Sequence, residues 1–288
     1  MRRFLAVPIF TSYDATKLAY HVLGEGIPVV CVPGGPMQAS AYLGGLGGPA
    51  AKLIMLDLRG TGDSETPADP VTYRADRLVA DVEALREHLG LDTMNLLGHS
   101  AGTNLAVSYA ASHPERINTL ILLNPSTFAV AIEQTGELRR EIVRRRAGEP
   151  WFEAASAAFE RIAAGQGADD DWPAITPFWY RRWDAEAQAH AAAEQTQRND
   201  EAAATYGSDG AYDPPAIRAA LATLEAPVLI TAGTFDIAAS PRVVAEYADL
   251  FPNATLETLE EGGHFPWLDD PVWLSGKVSG FVARHGSR

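Results

Sequence analysis

The segment Gly98-His99-Ser100-Ala101-Gly102 is a G-x-S-x-G pattern placed between the apolar run TMNLL and a helical segment. A strand-to-helix turn that tight admits only small flanking residues and lifts the serine oxygen clear of the sheet, beside a helix N-terminus. The N–H of Ala101 is then free to bind an oxyanion. In this setting the pattern predicts a nucleophile and not merely a glycine turn. A serine hydroxyl is a weak nucleophile, so it needs a base, and the base needs an orienting acid. Seven histidines are available. His21 falls within a strand, His88 on the solvated side of a helix, His113 at a helix end, His190 in a long helical stretch and His285 in the tail. Each of these reads as a surface or internally satisfied histidine. His99 adjoins the serine, but a neighbour within the turn points away from it. His264 differs, because Glu261-Gly262-Gly263-His264-Phe265-Pro266 is a loop that follows the strand-like ATLETLE. Loops at the carboxyl ends of strands are where an open α/β sheet places its chemistry.

The acid is sought between Ser100 and His264 in chain order. The run APVLITAG leads to Gly233-Thr234-Phe235-Asp236, whereas the preceding strand ends at Asn124, which cannot carry the charge that stabilises an imidazolium. Asp236 is therefore the predicted acid. Val32-Pro33-Gly34-Gly35-Pro36 closes another apolar run, and the N–H of Gly35 supplies a second oxyanion donor there. The Gly-rich loop Asp57-Leu58-Arg59-Gly60-Thr61-Gly62-Asp63-Ser64 reads as scaffold, with Arg59 and Asp63 as loop-fixing charges. No phosphate-binding, dinucleotide-binding or H-E-x-x-H pattern occurs, so neither a cofactor nor a metal is expected.

These residues must be held by a frame. PVVCVPGG, KLIMLDLRG, TMNLLGHS, INTLILLNP and APVLITAG are short, continuously apolar runs, the form of strands covered on both faces. Leu78, Val82, Leu85 and Leu89 follow one another at helical spacing until Gly90 ends the segment. Alternating strands and helices predict an α/β fold with a mostly parallel sheet. Before it, FLAVPIFTSY and KLAYHVLG, separated by Asp14-Ala15-Thr16, predict an antiparallel hairpin. From Phe128 to Leu224 no buried-strand run appears, and the stretch reads as several helices inserted between two strands. The expected division is a core of residues 1–127 and 225–288 around a helical lid of 128–224. Within the lid, ELRREIVRRR reads as a helix with a solvated basic face, and the surplus of aromatic residues suggests an apolar acyl pocket.

Composition sets the outer limits. The 288 residues carry 23 Lys and Arg against 37 Asp and Glu, a net charge of −14. That balance argues against nucleic acid or an anionic membrane as partner. Nowhere do the roughly eighteen consecutive apolar residues of a membrane span occur. The single cysteine, Cys31, excludes an internal disulfide framework, and the first twenty residues lack a signal-peptide cleavage pattern, so cytoplasm is the expected compartment.

PGGP, DLRGTGDS, GHSAG, GTFD and GGH, in this order and across nearly the whole chain, resemble the α/β-hydrolase fold superfamily. Within it the pattern is most similar to the lidded proline iminopeptidase-like branch, where an H-G-G-P-G loop, a D-x-R-G-x-G-x-S loop and a helical cap recur. Pro33 stands here where that branch has His, and Met37 where it has the last Gly. The resemblance implies a serine aminopeptidase or amidase acting through an acyl-enzyme on a small molecule or short peptide-like substrate. It also implies that acidic lid residues hold the substrate's free amine, one of them following a Trp; Trp183-Asp184 is the matching pair. A carboxylesterase or lactonase without an amine requirement is the alternative reading, and a non-catalytic binding protein on a retired hydrolase scaffold a more remote one. Ser100 argues against dehalogenase and epoxide hydrolase chemistry, for which this fold uses Asp. Activity is expected to rise with pH as His264 gives up its proton.

Overall fold

The computed structural model describes residues 7–46 and 51–286. Its strands are β1 (Ile9–Thr11), β2 (Lys17–Leu23), β3 (Ile27–Val32), β4 (Ala51–Leu56), β5 (Met94–His99), β6 (Ile117–Leu123), β7 (Val228–Gly233) and β8 (Ala254–Leu259). They form one sheet in the order β1-β2-β4-β3-β5-β6-β7-β8. From β4 to β8 all neighbours are parallel; β1 and β2 pair antiparallel, with Phe10 opposite Leu18, and β2 runs antiparallel to β4. Of the run expected as the first strand, residues 4–6 lie outside the described residues. The hairpin turn uses Ala15 at φ 70°.

Every residue of β5 and β7 is buried, as the unbroken apolar runs require when helices cover both faces. Alternate side chains divide between the two faces. Val30, Val32, Leu96, Leu120 and Ile230 pack with the helices α1 (Ala75–His88) and α2 (Gly102–Ser112). Val29, Cys31, Leu97, Ile121 and Leu229 belong to the opposite cluster, completed by Leu274, Val278, Phe281 and Val282 of the last helix, Pro271–His285. Cys31 is fully buried there, which pushes its thiol up to about 12. The contiguous stripe Leu78, Val82 and Leu85 is wholly buried against the sheet, and each such side chain contributes about 1.5–3 kcal/mol by leaving water.

Between β6 and β7 lie only helices: α3 (Gly136–Arg144), α4 (Phe152–Ala163), α5 (Asp171–Ala174), α6 (Ala185–Gln197), α7 (Asp200–Tyr206) and α8 (Pro214–Leu221), with short 3-10 turns among them. Packing distributes this segment over more than one surface. Val143, Ala155, Phe159 and Phe178 form a small cluster with Ile237. Ala202, Tyr206, Ile217, Leu221 and Leu224 instead enter the main core beside α2. The last part of the inserted stretch is thus a crossover helix covering the sheet. The chain continues through α9 (Pro241–Ala248), α10 (Pro266–Asp269) and α11 (Pro271–His285).

The chain steps from β3 to β4 on one side and returns to β5 on the other, so the strand order reverses at β3. The loops leaving β3 and β5 therefore stand side by side at the carboxyl ends, where open α/β sheets bind their ligands.

Candidate active site

Ser100 sits between β5 and α2 at φ 53°, a left-handed conformation that few side chains adopt. The turn closes only because Gly102 has no Cβ: one built there would lie 2.5 Å from the carbonyl oxygens of Val32 and Pro33. Gly34 approaches just as closely, since a Cβ on it would lie 2.7 Å from the His99 oxygen and 2.9 Å from the Ser100 Cβ. The β3 loop is thereby pressed against the serine. Among the described residues, neither the Gly35 N–H nor the Ala101 N–H donates a hydrogen bond.

Ser100, His264 and Asp236 come together from three separate loops. The Ser100 Oγ lies 2.8 Å from His264 Nε2, and His264 Nδ1 lies 2.9 and 3.0 Å from the two Asp236 oxygens. His264 is 3% exposed and Asp236 not at all. A buried carboxylate must be hydrogen-bonded to be tolerated. Asp236 accepts from the Ala238 N–H at 2.8 Å and from Asn124 Nδ2 at 3.0 Å.

Asn124 carries no charge and so cannot be the acid, yet its amide joins the site. The same Nδ2 donates to the Gly263 carbonyl at 2.9 Å, and Oδ1 accepts from the Thr231 hydroxyl at 3.0 Å. One side chain thus holds both the acid and the loop of the histidine. The available signal was its place at the end of β6, adjacent to the strand that carries Asp236. The main chain of His264 is gripped as well: its N–H donates to the Trp179 carbonyl at 2.8 Å, and the Trp179 ring stands edge-on to the imidazole with centroids 5.0 Å apart.

Asp269 anchors the preceding residue, accepting from the Gly263 N–H at 2.7 Å. Burial raises its carboxyl from 3.8 to about 6, although the Gly263 N–H and nearby arginines oppose the shift. The native state therefore binds this proton more tightly than the unfolded chain does. Stability from this group is full below about pH 4 and is lost as pH rises through about 6. The displacement corresponds to at most about 3 kcal/mol. Urea denaturation of wild type and Asp269→Asn at pH 4.5 and 7.5 should show the variant gaining on wild type at the higher pH by roughly 2 kcal/mol. A difference that does not change with pH would refute this account.

Trp183 and Asp184 are not brought to the serine. The Asp184 carboxylate caps α6, accepting the Ala187 N–H at 3.0 Å, and lies 3.5 Å from Arg182 with about half its side chain exposed. That N–H is also the main cause holding its carboxyl below the ordinary range. The Trp183 ring packs on Tyr180, with centroids 5.3 Å apart. Farther along α6 lies a second acid, Glu194. Its carboxyl is raised by burial, and the charges opposing that are first His264 and then Arg198. Among the described residues no donor bonds its carboxylate. Nothing in AAAEQTQ marks it in the sequence.

His21, Asp57 and Asp63 place potential ligand atoms within 4.8 Å of one another. The Asp57 carboxylate is already occupied by the Ser40 N–H and hydroxyl, the Asp63 N–H and the His21 ring, so the group reads as a clasp of the Gly-rich loop.

A family model described as the alpha/beta hydrolase fold matches residues 27–271. The chain belongs to the α/β-hydrolase family. This hydrolase is 27% identical over 275 residues to a proline iminopeptidase of Heyndrickxia coagulans, covering 90% of this chain and 91% of that one. Among solved structures it resembles a proline iminopeptidase of Mycobacterium smegmatis with TM-score 0.71 and 22% identity, over 96% of this chain and 98% of the other. An esterase from Exiguobacterium antarcticum matches with the same TM-score, 18% identity and the same coverage of both chains. The hydrolase has no helix, among the described residues, long and apolar enough to cross a membrane.

Proposed function

We propose that this hydrolase works through an acyl-enzyme on Ser100. The observation that carries the reading is the line Ser100 Oγ, His264, Asp236, with contacts of 2.8 and 2.9 Å. In the mechanism His264 Nε2 takes the serine proton as Oγ attacks the substrate carbonyl, and Asp236 stabilises the imidazolium. The N–H groups of Gly35 and Ala101 receive the oxyanion. His264 then returns the proton to the leaving group, and a water molecule repeats the sequence to release the acid.

The preferred substrate is a small, largely apolar, peptide-like molecule whose scissile amide lies near a free amine. Trp179 and Phe265 flank the imidazole and suit an apolar acyl group. For the amine, Glu194 replaces Asp184 as the candidate partner, because Asp184 is spent on capping α6. Kinetics with aminoacyl nitroanilides and nitrophenyl esters test this. Glu194→Gln is expected to lower kcat/KM for the free-amine substrates by about 10- to 100-fold, as loss of a charge-assisted contact does. Esters should change less than about threefold, and Asp184→Ala should affect neither class strongly. Wild-type turnover indifferent to a free amine would instead favour the esterase or lactonase reading.

A further inference from the structure

His99 is 1% exposed, and its ring makes no hydrogen bond to Ser100 among the described residues. Its Nε2 lies 2.9 Å from the main-chain oxygen of His264, and its Nδ1 lies 3.0 Å from the Tyr42 hydroxyl. That hydroxyl lies 2.6 Å from the N–H of Gly34. A carbonyl can only accept, so Nε2 carries the ring proton and Nδ1 accepts from Tyr42. The Tyr42 oxygen is then the acceptor for the Gly34 N–H. Hydrogen-bond direction is therefore set along the whole line Gly34, Tyr42, His99, His264. One end adjoins Gly35, and the other is the main chain of the base.

We propose that His99 is a positioning residue for hydrolysis, its ring fixing the separation between the loop that presents Gly35 and the loop that presents His264. This rests on the roles given to Ser100, His264 and Gly35 above. Both ring nitrogens are used, and they join loops that leave different strands; packing alone requires neither. The ring cannot readily turn, because His264, Phe265 and Trp267 surround it with centroids at 5.0, 5.6 and 4.8 Å. Desolvation, and then the charge that His264 acquires, hold its pKa well below the ordinary histidine value. His99 therefore stays neutral while His264 cycles, and the line keeps its direction. A displacement of about 1 Å in such a site costs on the order of 100-fold in rate.

The test compares wild type with His99→Phe, His99→Gln and Tyr42→Phe, measuring kcat and KM on p-nitrophenyl butyrate, fluorophosphonate labelling and thermal midpoint. His99→Phe keeps a ring and loses both hydrogen bonds, whereas the amide of His99→Gln can accept from Tyr42 and donate to the His264 carbonyl. His99→Phe and Tyr42→Phe are expected to lose about 10- to 100-fold in kcat and labelling rate, with KM within about threefold. His99→Gln should recover to within about fivefold of wild type. The double variant His99→Phe/Tyr42→Phe should be no slower than His99→Phe, since the links act in series. Retention of kcat within twofold in Tyr42→Phe, or His99→Gln as impaired as His99→Phe, overturns the proposal. Should His99→Phe fail to fold, Tyr42→Phe and His99→Gln still decide it. A wild type that hydrolyses the ester without labelling at Ser100 overturns the underlying mechanism as well, and is recognised by that signature.

Discussion

Ser100→Ala is expected to lower kcat by roughly four to six powers of ten while leaving the fold intact. In the proposed mechanism this substitution removes the attacking atom itself, so that only oxyanion binding and substrate positioning would remain. Stability should change little, because among the described residues the hydroxyl has a single side-chain partner, the His264 ring at 2.8 Å, and alanine is no more strained than serine at φ 53°. Two measurements separate the outcomes. Wild type should take a fluorophosphonate label that the variant does not, and the thermal midpoints should agree. Residual turnover above about one per cent of wild type would remove Ser100 as the nucleophile. A folded wild type that takes no label would revive the binding-protein alternative.

The largest expected loss of stability is at Arg59. Its guanidinium is fully buried, and it contacts the Asp81 carboxylate at 2.8 and 2.5 Å and Asp14 at 2.7 Å. Ser12 adds a hydrogen bond to Asp81 at 2.5 Å. Three elements meet here: the hairpin turn, the Gly-rich loop after β4, and α1. Arg59→Leu should destabilise by about 3–5 kcal/mol, because it leaves a buried carboxylate without a cation. The sign with pH follows from the same cause. Burial already raises the Asp81 carboxyl, and Arg59 is the main group opposing that, with the Ser12 hydroxyl adding less. Without the arginine the acid takes up a proton, so the deficit should shrink as pH falls. Urea denaturation at two pH values checks both statements. A loss below about 1 kcal/mol would show that the pair is dispensable.

What could be read from the sequence was whatever depends on local backbone chemistry. A strand that must turn sharply into a helix demands glycine at 98 and 102, and the loops ending in Asp236 and His264 follow apolar runs that can only be buried strands. Those three side chains lie within hydrogen-bonding distance because chain order and strand direction carry them to one edge. What escaped the reading depends on which surfaces meet in space. Glu194 and Asn124 have unremarkable neighbours in the chain; the amide of Asn124 meets Asp236 only because another strand brings it there, and the part proposed for Glu194 depends likewise on the packing of α6. Asp184 follows a Trp as the family resemblance requires, but an Asp immediately ahead of a helical Ala-Glu-Ala run is an ordinary N-cap. Residues 200–224 continue the helical pattern of the inserted stretch. Ile217, Leu221 and Leu224 do carry the spacing of a core-facing stripe, but the sequence does not say which surface receives it.

The bond from the His264 N–H to the Trp179 carbonyl involves only main-chain atoms. Side-chain identity at 179 is irrelevant to it, so alanine scanning would pass over it and sequence divergence there would leave it unchanged. Register is what preserves it. One residue inserted or deleted between 177 and 181 would shift the carbonyl that meets the histidine, so this bond should survive a substitution at 179 and be lost on a change in length of the stretch.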